Sequence, residues 1–191
     1  MNAQSQLDDM PDQTTSTLED IAVSLTPSTY NAANVSYDQA SANTAAFLDM
    51  LAYSEGTSGP DGYSTLFGGG LCDNLDAHPR QYFSFTNSLG VTLRTSAAGR
   101  YQFLARTWDA LQASLQLPDF GPASQDAAAL ELVRQRGALA DVQAGRIVQA
   151  CAKCAPIWAS LPGAGYHQPE RKISQLLAAY QSGGGQLDAT A

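Results

Sequence analysis

The sequence has no positive charge in its first 46 residues, although six acidic residues lie there. All ten Lys and Arg residues follow later, so most of the net charge of −8 belongs to the N-terminal segment. Since no basic patch stands out, the sequence does not favour a nucleic acid as partner. The nearly neutral remainder neither favours nor excludes an anionic polymer as substrate.

The sequence also lacks a run of about 18 apolar residues, so we expect no membrane-spanning helix and no membrane partner. Its first residues, MNAQSQLDDMPDQ, contain neither a basic region nor an apolar stretch, and we expect no secretory signal. Residues 1–42 are rich in Ser, Thr, Asn, Gln and Asp, which predicts an acidic, largely disordered arm. Residues 184–191 predict a flexible tail, which leaves 43–183 as one folded domain.

Cysteine and histidine are scarce as well. The three cysteines, Cys72, Cys151 and Cys154, are an odd number, which argues against a disulfide framework. A zinc site at CAKC (151–154) would need a second ligand pair, but His78 and His167 stand singly. A redox pair would need a preceding strand, whereas the flanking sequence indicates helix. We therefore expect packed thiols, structural or solvated histidines, no metal and no cofactor.

The spacing of apolar residues predicts a first helix over 43–54, with Asn43 or Thr44 as its N-cap. Glycines punctuate residues 56–99, where QYFSF and GVTLRT alternate like strands around a turn at 86–90. Further helices are predicted over 100–117, 123–137, 145–161 and 168–183. One helix, a small antiparallel ribbon and a helical half together predict an α+β fold.

Glu55 ends the first predicted helix, and Gly56 interrupts the pattern directly after it. The last turn of a helix has unpaired carbonyls and a partial negative charge, which destabilise an ionised carboxylate. Apolar neighbours such as Tyr53 would add desolvation, so both effects would raise the pKa of Glu55. A carboxyl group kept protonated in this way could donate a proton. The alternative is a solvated surface glutamate.

Four blocks of the sequence resemble the lambda-type phage endolysins of the lysozyme-like superfamily. In the family's order they are AFLDMLAYSEGT (46–57), AAGRYQFLARTWDAL (97–111), SQDAAALELVRQRGAL (124–139) and IWASLPGAGYHQPERK (157–172). The resemblance implies a lysozyme-like fold with a cleft between its lobes. It also implies a lytic transglycosylase that cuts the β-1,4 bond between N-acetylmuramic acid and N-acetylglucosamine in peptidoglycan. The C6 hydroxyl of the muramic acid, rather than water, would attack C1 and leave a 1,6-anhydro end.

In that mechanism Glu55 alone would serve as acid and then as base, because the substrate supplies its own nucleophile. Glycoside hydrolysis ordinarily needs a second carboxylate. Asp61, Asp73 and Asp76 in the loops after Glu55 are candidates for it, although aspartate is common in loops. A hydrolytic lysozyme using one of them is therefore an alternative.

The resemblance implies further residues in the cleft. Gln102 in AGRYQ matches the Gln of a Gly-x-x-Gln block, with Gly99 allowing close backbone approach. Ser96 and Tyr101 are weaker candidates for contact with substrate. Tyr166 in LPGAGY would lie on a loop that forms one wall and could contact a sugar. The alternatives are an exposed helical residue for Gln102 and a loop-anchoring aromatic for Tyr166.

In the family, two loops flank the groove like lips, and here they would lie near 84–96 and 158–168. We expect a monomeric endolysin that is made in the host cytoplasm and acts in the periplasm after holin-mediated release. The acidic arm departs from the family and implies an unknown partner. A virion- or tail-associated lysin is therefore an alternative, as is a glycan-binding module without catalysis, although the intact SEGT (54–57) argues against the latter.

Overall fold

The computed structural model describes residues 37–189, which contain six helices and one two-stranded sheet. The helices are α1 (Tyr37–Glu55), α2 (Ala105–Leu115), α3 (Pro122–Gln135), α4 (Leu139–Ala144), α5 (Ile147–Cys154) and α6 (Ile173–Ser182). The strands are β1 (Phe83–Thr86) and β2 (Thr92–Thr95), and a short 3-10 helix covers Gly62–Ser64. Of the arm predicted over residues 1–42, residues 1–36 lie outside the described residues, as do residues 190–191.

The predicted antiparallel ribbon is confirmed. Strand β1 pairs with β2 in a register that places Phe83 opposite Thr95 and Thr86 opposite Thr92. The turn between them closes through the backbone N–H of Asn87, which donates to the carbonyl oxygen of Val91 (2.9 Å). The α+β prediction is therefore confirmed, with a small ribbon beside a helical body.

Helix α1 begins earlier than predicted, so the predicted domain boundary at residue 43 falls inside a helix. Asn43, predicted with Thr44 as an N-cap, is instead a buried helical residue. Its Nδ2 donates to the carbonyl oxygen of Gln143 (2.9 Å), and its Oδ1 accepts from the backbone N–H of Gln186 (2.9 Å). These long-range partners override the local capping preference of asparagine.

The end of the described chain also differs from the prediction of a flexible tail. Gly185 is buried, and the hydroxyl of Tyr180 donates to the carbonyl oxygen of Gln186 (3.2 Å). The backbone N–H of Asp188 donates to the carbonyl oxygen of Gly145 (3.1 Å). Residues 185–188 are thus attached to the helical body.

The later helices are shorter than predicted. Helix α2 starts at residue 105 because residues 99–102 form a tight turn in which Gly99 and Gln102 both have positive φ. The predicted helix over 145–161 ends at Cys154, close to Pro156, whose missing N–H cannot continue the helical ladder. The six-residue helix α4 was not predicted. Helix α6 begins at residue 173 rather than 168.

Helix α1 packs against α6, α4 and α3, and its apolar face enters the core. The predicted face is confirmed, because Phe47, Leu51 and Ala52 are fully buried and Leu48 is 8% exposed. Burying a side chain of the size of Phe or Leu contributes about 2 kcal/mol. Trp158, predicted to be a core residue, is fully buried as well.

The packed-thiol prediction is confirmed for the CAKC pair. Cys151 and Cys154 are buried, and burial raises the pKa of each thiol to about 12. Cys72 is half-buried and also free of disulfides. His78 is buried, with Nε2 2.9 Å from the carbonyl oxygen of Phe103, so its structural role is confirmed.

Candidate active site

The end of α1 fixes the position of Glu55. The N–H of Gly56, which has a φ of +77°, donates to the carbonyl oxygen of Tyr53, and the N–H of Thr57 donates to that of Ala52 (2.9 Å). These two bonds are those of a Schellman motif, which makes Glu55 the C-cap residue. The predicted position of the acid at the helix end is confirmed. Its side chain is half-buried.

Glu55 lines two cavities of similar size. We call the first the glycine-rich cavity, of about 190 Å³, which is lined by Glu55, Gly56, Thr57, Thr65, Leu66, Phe67, Gly68, Gly69 and Gln102. We call the second the charged cavity, of about 220 Å³, which is lined by Ser54, Glu55, Ser160, Pro169, Glu170 and Arg171. Glu55 is therefore a residue that both cavities share.

The Glu55 carboxyl group is hydrogen-bonded to one serine of the charged cavity, and that serine contacts a second. Its Oε1 lies 2.7 Å from Oγ of Ser160, which in turn lies 3.0 Å from Oγ of Ser54. The Ser54 hydroxyl is 2.8 Å from the carbonyl oxygen of Leu51. Both serines are about 95% buried. That Glu55 is protonated in the resting protein stays a prediction.

Ser160 is itself fixed by the segment that precedes α6. Its carbonyl oxygen accepts from the backbone N–H of Arg171 (2.7 Å). The Nε of Arg171 lies 3.4 Å from the carbonyl oxygen of Ser54, and its guanidinium stacks on the ring of Tyr53, 5.2 Å from the centroid. A positive charge thus lies close to the negative end of α1, where it is electrostatically favoured.

Gln102 lies in the wall of the glycine-rich cavity beside Glu55, and its contact with substrate stays a prediction. It is 6% exposed, with a φ of +52°, and its Nε2 donates to the carbonyl oxygens of Thr65 (3.1 Å) and Gly99 (2.9 Å). The side chain therefore ties the turn at 99–102 to the segment that leads into Gly68 and Gly69. The alternative of an exposed helical residue is wrong.

Three other predicted cleft residues are placed elsewhere. Ser96 is fully buried, and its Oγ accepts from the backbone N–H of Ala105 at the start of α2 (2.9 Å). Gly99 allows close approach of Gln125, because a Cβ at that position would lie within 2.3 Å of the Gln125 side chain. Neither residue lines a Glu55 cavity, and the close approach at Gly99 serves packing inside the protein.

Tyr101 is also buried rather than presented to the cleft. Its hydroxyl donates to Oδ1 of Asp126 (2.7 Å), and its carbonyl oxygen accepts from Nε1 of Trp158 (3.2 Å). Burial and the carboxylate of Asp126 raise the pKa of this hydroxyl, so it stays a neutral donor. We conclude that Tyr101 supports the fold.

Tyr166 is half-buried on the predicted loop and lines neither cavity. Its hydroxyl donates to the carbonyl oxygen of Pro156 (2.9 Å), which is the loop-anchoring arrangement. The two loops predicted as lips meet, because the hydroxyl of Ser88 donates to the carbonyl oxygen of His167 (2.6 Å). Contact of Tyr166 with a sugar stays a prediction.

The three candidate second carboxylates lie outside both cavities. Asp61, Asp73 and Asp76 are exposed, and Asp61 is the N-cap residue of the 3-10 helix. The second carboxylate that does share a cavity with Glu55 is Glu170. Its two oxygens accept from the backbone N–H groups of Gly163 (2.8 Å) and Gly165 (3.0 Å), so it holds the loop that contains these glycines.

The sequence interpretation missed Ser160, Glu170 and Arg171 as site residues. All three lie in the block at 157–172 that carries the resemblance, but no spacing rule links them to Glu55, since Ser160 is 105 positions away. The only sequence feature that could have indicated two of them is the polar stretch HQPERK (167–172), which follows the loop LPGAGY. Among residues 37–189, no group of three or more His, Cys, Asp or Glu side chains is arranged to hold a metal ion.

None of the described helices is long and apolar enough to cross a membrane.

Comparison with known proteins identifies the family. The model of the family described as Endolysin matches residues 45–187. The endolysin of Escherichia phage lambda is 47% identical over 146 residues, 73% of this chain and 90% of that protein. The endolysin of Escherichia phage P2 is 44% identical over 158 residues, 75% of this chain and 93% of that protein.

Solved structures agree with the sequence matches. Phage lambda lysozyme complexed with a chitohexasaccharide has a TM-score of 0.71 and 43% identity, covering 76% of this chain and 96% of that one. A second structure of phage lambda lysozyme has a TM-score of 0.66 at the same identity and coverage. The lysozyme-like fold predicted from the resemblance is therefore confirmed. The chain belongs to the endolysin family, phage enzymes of cell-wall lysis that cleave peptidoglycan.

Proposed function

We propose that the chain is a lytic transglycosylase that cleaves the β-1,4 bond between N-acetylmuramic acid and N-acetylglucosamine. The observation that carries the proposal is the position of Glu55 where the glycine-rich and charged cavities meet, with Asp61, Asp73 and Asp76 in neither. Glu170, the other carboxylate of the charged cavity, is held by two backbone N–H groups, which leaves Glu55 as the acid of a reaction in which the substrate supplies the nucleophile. The chitohexasaccharide bound to the related lambda lysozyme supports a glycan strand as substrate.

In the proposed reaction, protonated Glu55 donates its proton to the glycosidic oxygen, and the bond from this oxygen to C1 of the muramic acid breaks. The C6 hydroxyl of the same sugar then bonds to C1. Its proton passes to the Glu55 carboxylate, which restores the starting acid. No water is consumed. Neither of the two new strand ends therefore contains an oxygen atom from water.

Mass spectrometry of digested peptidoglycan tests this proposal. Purified cell wall treated with the full chain should release fragments with a 1,6-anhydro muramic acid, one water lighter than the products of hydrolysis. A matched digest by a known hydrolytic lysozyme provides the heavier reference. Fragments with a reducing muramic acid end would contradict the proposal.

Hydrolysis with Glu170 as second carboxylate is the second candidate, because Glu170 shares the charged cavity with Glu55. The two backbone N–H groups on its carboxylate favour a loop-holding role instead. The same product analysis separates the two functions, since hydrolysis adds one water to the muramic acid end.

We further propose that the enzyme acts as a monomer, is made in the host cytoplasm and reaches the periplasm after holin-mediated release. Expression in a susceptible host should lyse cells only when a holin is co-expressed. A chain that lacks residues 1–36, the part of the arm that precedes α1, should keep its activity on purified wall if the arm is peripheral to catalysis. Recovery of the full chain in washed phage particles would favour the virion-associated alternative, in which the arm binds a particle.

A further inference from the structure

Glu55, Ser160, Ser54 and Leu51 form an unbroken chain of four oxygen atoms. The successive distances are 2.7 Å, 3.0 Å and 2.8 Å, and each lies within the range of a hydrogen bond between oxygens or at its edge. Ser54 and Ser160 are 4% and 5% exposed, so the protein rather than bulk water supplies their partners. Each serine has one hydrogen to donate, which restricts how the chain can be satisfied.

The single hydrogen of the Ser160 hydroxyl has two acceptors in this chain, Oε1 of Glu55 and Oγ of Ser54. When Glu55 is protonated, its hydroxyl donates to Ser160, and Ser160 donates to Ser54. When Glu55 is ionised, it can only accept, so Ser160 donates to Glu55 instead. Ser54 donates to the carbonyl oxygen of Leu51 in both cases, so only the O–H bond of Ser160 rotates.

We propose that Ser160 and Ser54 form a reversible hydroxyl relay that positions the Glu55 carboxyl group both as the acid and as the base. This inference rests on the proposed function, in which Glu55 gives up a proton and then recovers one. The serines exchange no proton with the substrate, so they are positioning residues. The relay keeps the carboxyl oxygen in place while its charge changes, which avoids a side-chain movement between the two steps.

The two serines act on opposite charge states of Glu55. Loss of the Ser160 hydroxyl removes a charge-assisted bond to the ionised carboxylate, which is stronger than the bond made by the neutral acid. Loss of the Ser54 hydroxyl chiefly affects the protonated state, because the buried Ser160 hydrogen then points at no acceptor. Removing Ser160 therefore favours the acid form, and removing Ser54 favours the carboxylate form.

Other charged groups face Glu55 from the segment before α6. Glu170 and Arg171 line the charged cavity, and the glycine-rich cavity contributes no further ionisable side chain. Neither Glu170 nor Arg171 changes in a serine-to-alanine variant. Opposite effects of the two serine variants would thus trace to the relay rather than to the neighbouring charges.

The test is the pH dependence of kcat on soluble peptidoglycan fragments, measured for the full chain, Ser160→Ala and Ser54→Ala. We expect the alkaline limb, where Glu55 loses its proton, to move up by about half a pH unit in Ser160→Ala and down by a similar amount in Ser54→Ala. The kcat of Ser160→Ala should fall about tenfold with little change in KM. Ser114→Ala is the matched control, because the Ser114 hydroxyl bonds to the carbonyl three residues before it, as that of Ser54 does.

The relay would be overturned if the alkaline limbs of the two kcat–pH profiles move in the same direction, or if neither limb moves. Thermal unfolding followed by circular dichroism checks that each variant folds. If Ser160→Ala does not fold, Ser160→Cys takes its place, since a thiol is a weaker hydrogen-bonding group of similar size. Its limb should also move upward, and an unchanged limb would again overturn the relay. Failure of the proposed function is distinct, because it would appear as hydrolytic products of the unmodified chain.

Discussion

The two cavities that meet at Glu55 are nearly equal in volume but differ in chemistry. Besides Glu55, the glycine-rich cavity is lined by Gly, Thr, Leu, Phe and Gln residues, whereas the charged cavity is lined by Ser, Pro, Glu and Arg residues. The first is shaped by positive φ angles at Gly68, Gly69 and Gln102, and the second by side-chain contacts between distant segments. In the proposed function, the glycine-rich cavity would receive a sugar, while Ser160 of the charged cavity holds the carboxyl group of Glu55.

The largest effect is expected for Glu55, which both cavities share. Glu55→Gln keeps the size of the side chain but removes the transferable proton, so lytic activity should fall by about 10³-fold or more. Turbidity loss of purified peptidoglycan measures this fall. Glu131→Gln on α3 serves as control, because Glu131 lines neither cavity and should leave activity unchanged. Lysis by Glu55→Gln near the normal rate would mean that another group is the acid.

The shape of the glycine-rich cavity depends on Gln102. Gln102→Leu removes the side-chain donor of the Thr65 and Gly99 carbonyl oxygens, each of which keeps a backbone donor, so it should cost about 1 kcal/mol of stability. The glycine-rich wall would shift, and we expect activity to fall about 10²-fold through misplacement of the substrate.

Gln116→Leu is the matched control for this change. Gln116 also has a positive φ, of +54°, but it is exposed and lines neither cavity. Both variants should therefore carry similar backbone strain, and only Gln102→Leu should lose activity. Equal activities of the two variants would remove Gln102 from the site.

In the charged cavity, a change at Glu170 should lower activity less than the changes at Glu55 and Gln102. Glu170→Gln retains one acceptor but weakens the bonds to Gly163 and Gly165, so we expect a fall in activity of about three- to tenfold, with unchanged products. Initial rates on peptidoglycan and product masses check both statements. A loss as large as that of Glu55→Gln would identify Glu170 as a second catalytic carboxylate and would favour hydrolysis.

Asp141 lies outside both cavities, so a change there should affect stability without affecting activity. Burial alone would raise the pKa of Asp141, but hydrogen bonds from Lys153 (2.6 Å) and Arg146 (2.8 Å) outweigh it and lower that pKa. A carboxyl group with a lowered pKa stabilises the fold above its unfolded pKa of about 3.9, and this stabilisation is lost as pH falls through the folded pKa.

Asp141→Asn should therefore lower the free energy of unfolding by about 2 kcal/mol at pH 7 and by much less near pH 3. Urea titrations at the two pH values measure this difference, while activity at pH 7 should stay unchanged. Asp109→Asn removes an exposed pair with Arg80 and should cost about 0–1 kcal/mol. A pH-independent loss in Asp141→Asn would contradict the assigned direction of the pKa.

Local patterns predicted the elements that local forces decide. The spacing of Phe47, Leu51 and Ala52 predicted the buried face of α1, and Gly56 predicted its end, because periodicity and helix termination depend on neighbouring residues. The start of α1 was predicted wrongly. Asn43 has a strong capping preference, but its partners lie about a hundred or more positions away and were not visible in the sequence.

The candidate site shows the same limit. The block AGRYQ made Gly99, Tyr101 and Gln102 candidates together, but only Gln102 lines a cavity beside Glu55, and Tyr101 is buried against Asp126. Sequence adjacency does not tell which residue of a turn lies next to Glu55. The Ser160 hydroxyl, which contacts Glu55 directly, could be recognised only once the fold brought the two segments together.

Cleavage of purified peptidoglycan in water enriched with ¹⁸O tests the central claim most directly, because it asks whether water or the sugar itself attacks C1. If Glu55 acts alone and the C6 hydroxyl is the nucleophile, the new muramic acid ends should contain no ¹⁸O. Incorporation of one ¹⁸O atom at C1 of every new end would contradict the account.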